Sequence, residues 1–318
     1  MGSSTKSRFR PWLLRLTVYG LLAAALSLLL AALRTSLAEN GHSPSMPGDS
    51  AMALIPIRVS GERILCELSL PDGRAGQFLL DTCATRCSVE PFWARKHGFQ
   101  VDMRSSWTET PSGVEHGHRW RSPAFSVGSL FVGPRWMGEY RKDAEDGLLG
   151  FDLFRDKCIV FNWEQEQVRC RGECDFEGWV SEQLRLQHGV PMVEVSLPSG
   201  RETWFFLDTG CTAPLVIPER LLEDMEAESP PDGPVISATV VGGNAKFARI
   251  EARGVELLGL PFEELTTFVQ LEVPEGSVLD SMDGIIGLPL VRQRSLAIDA
   301  PNRKLWRPRG PLDPPAEP

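Results

Sequence analysis

Phe78-Leu79-Leu80-Asp81-Thr82-Cys83-Ala84-Thr85 returns 127 positions later as Phe205-Phe206-Leu207-Asp208-Thr209-Gly210-Cys211-Thr212. In both, an apolar run ends at Asp-Thr and turns into a short polar loop. Behind each copy stands a second echo, Asp146-Gly147-Leu148-Leu149-Gly150 and then Asp283-Gly284-Ile285-Ile286-Gly287. One such element is common in any sequence. The same elements twice, in the same order, predict two structural copies of one unit.

The repeat extends outward from these motifs. Ile55-Pro56-Ile57-Arg58-Val59 and Ile64 to Leu70 alternate like half-buried strands, and Pro71-Asp72-Gly73 is a turn before the run into Asp81. Val193 to Leu197, the turn Pro198-Ser199-Gly200 and Thr203 to Leu207 repeat that order into Asp208. Past each Asp-Thr loop come a short strand and a short helix, Phe92 to His97 in one copy and Glu219 to Met225 in the other. A glycine hairpin follows, weak at Thr110 to Val114 around Gly113 and clear at Thr239 to Phe247 around Gly242-Gly243. Cys158 to Trp163 and Ser295 to Asp299 close the copies. Short strands with frequent turns predict an all-β fold of two tandem barrel-like lobes. The expected division is 52–172 for the first lobe and 173–307 for the second, with a Pro-rich tail over 308–318.

The 318-residue chain is 42% apolar and 24% charged, which is ordinary globular material. Its net charge of −9 argues against nucleic acid as a partner, because phosphate binding needs a concentrated basic surface. Residues 1–37 read differently. Lys6, Arg8, Arg10 and Arg15 precede an uncharged apolar stretch from Leu16 to Leu33, about 27 Å long as a helix and enough to cross a hydrocarbon core. The charge bias predicts a cytoplasmic N-terminus and an exported remainder. Ser36-Leu37-Ala38 also fits a signal-peptide cleavage site, so a membrane anchor and a removed leader both stand, the anchor slightly preferred. Residues 38–51, rich in Ser, Pro and Gly, read as a tether. The seven cysteines are an odd set, so at least one lacks a partner within the chain. Cys170 and Cys174 are the expected staple, alone or with Cys158.

At these motifs the chain resembles the pepsin/retropepsin clan of aspartic proteases, most closely the retroviral-type and bacterial predicted aspartyl proteases because each lobe is short. The resemblance runs from about Ile55 to Trp306. It implies that Asp81 and Asp208 are a catalytic carboxylate pair activating one water against a peptide bond. Thr82 and Thr209 would cross-bond beneath them, and Gly150 and Gly287 would lie against the two Asp loops. Gly113, Gly242 and Gly243 would sit in flaps over an extended peptide. The chemistry calls for no cofactor and no metal, and two copies in one chain imply an active monomer. The first motif departs from the pattern, with Cys83 where glycine is usual and where Gly210 stands in the second. A side chain there crowds the loop and resists positive φ. Cys83 and Cys211 are expected as two small thiols rather than a disulfide.

A second reading therefore stands beside the peptidase, a non-catalytic lobe pair that binds extended peptides in the same groove. Smaller signals are weighed against it. His116-x-His118 puts two imidazoles on one strand face, but exposed strand histidines are the plainer reading. Trp107 and Trp120 flank the first hairpin and are candidates to line substrate pockets. The acidic run from Glu219 to Glu228 reads as a solvated helix face.

Overall fold

The computed structural model describes residues 52–110, 113–141, 145–172, 174, 176–225, 235–240, 243–271 and 282–309. All of them belong to one unit, Ser50–Pro318. The expectations placed on residues 1–51 and on 310–318 lie outside the described residues. Among the described residues no helix is long and apolar enough to cross a membrane.

Strands dominate, joined by tight turns, with helix confined to single turns. The strand Ala75–Asp81 lies between Arg63–Ser69, antiparallel, and Gly147–Gly150, parallel. In the second half Glu202–Asp208 lies between Val190–Ser196, antiparallel, and Ile285–Gly287, parallel. Strict alternation sends Phe78 and Phe205 inward, and neither is exposed to solvent. Burying a phenyl ring contributes about 2–3 kcal/mol, so each core is fastened at the strand that carries its aspartate.

The two halves meet in a shared layer. Cys158–Asn162 and Leu296–Asp299, the strands that close the two copies in sequence, pair antiparallel, with Ile159 opposite Ile298. On one flank of this seam Gln167–Arg171 and then Ala53–Pro56 continue the sheet; on the other come Lys304–Pro308 and Trp179–Gln187. Each half gives three strands to the layer. From Trp179–Gln187 the sheet runs on through the second half, whereas the first half keeps a sheet of its own.

Several local expectations change. Ile55 to Val59 is not one strand: Ala53–Pro56 pairs with Gln167–Arg171, whereas Arg58–Ser60 pairs with Arg63–Ser69. The chain changes partners at Ile57, whose N–H donates to Glu166 O at 2.8 Å. The first helix is Pro91–Lys96, capped by the Glu90 carboxylate on the Phe92 and Trp93 N–H groups. Its counterpart is two 3₁₀ turns, Glu219–Leu221 and Glu223–Met225, with Leu221 and Met225 buried, so this run is no solvated helix face up to Met225. Trp120 is wholly buried and belongs to the core, not to a substrate pocket. The Trp107 side chain lies outside the described residues.

The cysteine pair also differs from expectation. Cys158 bonds Cys174, and Cys170 is a buried free thiol. Alternation along Gln167–Arg171 turns Cys170 inward beside Cys66, where burial pushes both thiols up to about 12. The bridge links residues 16 apart and ties the seam to the segment crossing into the second half. For a loop of that length its removal, as Cys174→Ser, is expected to cost about 3 kcal/mol in denaturant unfolding of oxidised protein. A difference that persisted after both proteins had been reduced would assign the loss to packing instead.

Candidate active site

Asp81 and Asp208 each end a strand, and the loop after each folds back on its own carboxylate. Asp81 Oδ1 accepts from the N–H groups of Cys83 at 2.8 Å and Ala84 at 2.9 Å. Asp208 Oδ1 accepts from Gly210 at 2.7 Å and Cys211 at 3.1 Å. Each carboxylate is thus held by two backbone dipoles, which leaves its second oxygen for other partners.

The threonines interlock the loops. Thr82 N–H donates to Thr209 Oγ1 and Thr209 N–H to Thr82 Oγ1, both at 3.1 Å. Each hydroxyl then donates across the seam, Thr82 to Leu207 O at 2.5 Å and Thr209 to Leu80 O at 2.8 Å. Both threonines are 1% exposed. Four buried hydrogen bonds in a closed reciprocal set leave no donor of this group unpaired, and such a set fixes position sharply.

This grip brings the carboxylates together. A Cβ built on Gly210 would lie 2.6 Å from Asp81 Oδ2 and 3.2 Å from Asp208 Oδ1, so glycine is needed where the opposing carboxylate comes so close. Burial pushes the Asp208 carboxyl far above the ordinary range. The charge of Asp81 adds to this, as does a hydrogen bond between the two side chains, and the N–H groups of Gly210 and Cys211 only partly oppose the shift. Two carboxyls in that relation resist ionising together.

Gly150 lies beside Asp81 and Gly287 beside Asp208, in register on the parallel strands behind the loops. A Cβ on Gly287 would sit 1.9 Å from Ala213 O; one on Gly150 would sit 2.8 Å from Ala84 O. The backbone bonds that follow, Phe151 N–H to Ala84 O and Leu288 N–H to Cys211 O, close each loop onto its partner. The aspartates that open these motifs brace them. Asp146 accepts from the Gln77 N–H at 2.8 Å, and Asp283 accepts from the Thr203 hydroxyl.

Cys83 is accommodated. The non-glycine residues with positive φ among those described are Glu166, His188, Leu258 and Arg303, so Cys83 carries no left-handed strain. Its thiol is half-buried and outside any disulfide, as is that of Cys211, which donates to Ala213 O at 3.6 Å. Burial first, then the charges of Asp208 and Asp81, push the Cys83 thiol well up, as they do for Cys211.

Gly113 and Gly243 begin the second strands of two hairpins, Gln100–Thr110 with Gly113–Arg121 and Val235–Val240 with Gly243–Leu257. Gly242 lies outside the described residues. Among the described contacts none joins either hairpin tip to the carboxylates. His116 and His118 lie on the first hairpin, and among the described residues no group of three His, Cys, Asp or Glu could hold a metal.

No family model matches this chain, and no curated protein matches it. Among solved structures, the aspartic proteinase from Irpex lacteus is similar, with a TM-score of 0.53 and 13% identity. The match covers 82% of this chain and 98% of that one. The fold is pepsin-like. The reciprocal threonine bonds hold the two Asp-Thr loops of that fold against one another.

Proposed function

We propose that this chain is an aspartic endopeptidase whose dyad is Asp81 and Asp208. The observation that carries the reading is the interlock of the two Asp-Thr loops, which holds two carboxyls in hydrogen-bond contact with one shared proton. A pair in that state can do both halves of acid–base chemistry. The ionised member takes a proton from a water that attacks the peptide carbonyl, while the protonated member donates to the carbonyl oxygen. The proton gained then passes to the leaving amine. No covalent intermediate forms. The two titrations belong to the pair, so acid and base are not assigned to one residue each.

Several further features belong to this proposal. Both carboxylates come from one chain, so the active species is a monomer. The shortness of each lobe supports kinship with the retroviral-type bacterial proteases. The apolar stretch from Leu16 to Leu33 and the Cys158–Cys174 bridge, a bond of oxidising compartments, together support a working part outside the cytoplasm. The hairpins whose second strands begin at Gly113 and Gly243 are proposed as flaps.

One observation favours a second reading. Cys83 puts a side chain where the opposite loop has glycine, in electrostatic reach of Asp208. A cleft crowded in this way could bind extended peptides without cutting them. Peptide-library cleavage between about pH 3 and pH 8, with Asp81→Asn as control, separates the two. Cleavage by the parent alone supports the peptidase. Equal cleavage by Asp81→Asn rejects the dyad. Binding without turnover by the parent, with cleavage gained in Cys83→Gly, establishes the binding module.

A further inference from the structure

Beside Asp81 the structure gathers three polar side chains that the mechanism does not use. Arg63 Nη1 donates to Glu145 Oε1 at 2.6 Å, and the Tyr140 hydroxyl donates to Glu145 Oε2 at 3.0 Å. The Tyr140 ring packs with Leu79 and Leu148 in a small apolar cluster separate from the main core, and Leu65 and Ala84 lie against it. Strand register explains the grouping: Leu79 is opposite Leu65 on one side and beside Leu148 on the other. Leu79 stands two residues before Asp81, and Ala84 is one of the two N–H donors to its carboxylate. The cluster therefore covers the face of the aspartate strand that the core leaves, and it ends at the carboxylate itself. Burial, then Glu145, then Asp81 all push the Tyr140 phenol up, which places its hydroxyl in reach of Asp81's charge.

The hairpin tip that carries Arg63 spans both halves. Arg292 Nη1 donates to Gly61 O at 3.5 Å, and Glu62 lies in electrostatic reach of Cys211, three residues after Asp208. Arg63 thus stands on the Asp81 side of the dyad, two residues before Leu65, which pairs with Leu79 of the aspartate strand, and beside the buried cluster of Leu79, Leu148 and Tyr140. The two ends of its ion pair differ in exposure. The Glu145 side chain is 5% exposed and has both oxygens engaged, whereas that of Arg63 is 42% exposed. A guanidinium carries five N–H donors, so one bond to Glu145 leaves donors for an acceptor on a ligand. The network turns its cationic end outward.

We infer that Arg63, held by Glu145 and Tyr140, is a specificity-determining residue of the cleft, favouring peptides that bring a glutamate carboxylate to its exposed guanidinium on the Asp81 side. The carboxylate of such a side chain reaches the guanidinium, whose free N–H donors face outward. Glutamine fits the same space without the charge, and lysine is repelled. This inference rests on the cleft being a peptide site, as proposed above, but it does not need turnover.

The test therefore reads binding first. Fluorescent peptide sets that differ only by Glu, Gln or Lys at each position in turn are titrated against the full chain carrying Asp208→Asn. At one position the glutamate peptide is expected to bind about 10-fold more tightly than its glutamine and lysine counterparts, the lower end for a charge-assisted hydrogen bond. Adding Arg63→Gln should shrink that preference to within about twofold, while Arg63→Lys keeps most of it. The ratio is taken on one preparation, so a loss of stability on losing the Glu145 partner moves all peptides together. No glutamate preference at any position, or a preference untouched by Arg63→Gln, overturns the inference. Peptides bound with that preference but never cut by the parent remove the hydrolysis reading alone; peptides cut without it remove this one alone.

Discussion

Replacing Asp208 by Asn is expected to abolish peptide cleavage and, at neutral pH, to make the protein more stable. Loss of one member of an acid–base pair lowers turnover on the order of 10³-fold or more. The stability gain follows from the direction of the Asp208 shift. Burial, with Asp81 beside it, makes the carboxyl hold its proton in the fold to a pH at which the unfolded chain has already released it. Its contribution to stability is whole below the unfolded value of about 3.9. It drains away as pH rises through the folded value, by about 1.4 kcal/mol per pH unit while only the unfolded form is ionised. Asparagine carries no such term, so the variant's advantage should be largest near pH 7 and vanish towards pH 4. Denaturant midpoints for both proteins across that range check it. A variant no more stable than the parent at pH 7 would mean that the pair is not held in one another's field.

Gly287→Ala is expected to be the most damaging single methyl in the molecule. Its Cβ would stand 1.9 Å from Ala213 O, inside the loop that carries Asp208, and a backbone carbonyl cannot swing aside as a flexible side chain can. The cost is on the order of 3 kcal/mol or more, and cleavage should fall with it because the displaced loop carries the Gly210 and Cys211 N–H groups. Gly133→Ala is the control. Nothing lies within 4 Å of its Cβ and its φ is not positive, so no loss is expected there. Paired unfolding curves decide the matter, and equal midpoints would show that the loop can yield.

The duplicated motifs carried much of this in plain sight. Alternation and turn signals gave the strands that lead into each aspartate, and the resemblance to aspartic proteases implied the glycine strands behind them. What escaped was whatever depends on partners remote in sequence. Arg63 and Glu145 are 82 residues apart, and no pattern in either segment announces the other. Cys174 is nearer to Cys170 than to Cys158 along the chain, yet alternation faces Cys170 into the core and leaves Cys158 on the side where Cys174 packs. Ile57 interrupts a run that reads as continuous because its N–H bonds a carbonyl more than a hundred residues away. The proximity of Cys83 to the opposite aspartate likewise follows from the pairing of halves, not from either motif alone.

The seam between Cys158–Asn162 and Leu296–Asp299 bears on how the molecule comes into being. Leu296–Asp299 is synthesised long after Ala53–Pro56, the outer strand of the same layer. Contacts of such long separation form late and slowly, only once both strands have been made. Until then the first aspartate loop has no Leu207 carbonyl to receive its threonine and no second carboxylate to share its proton. If the pair cuts peptides, as proposed above, a nascent fragment lacks that competence, which arrives in one step with the later strands.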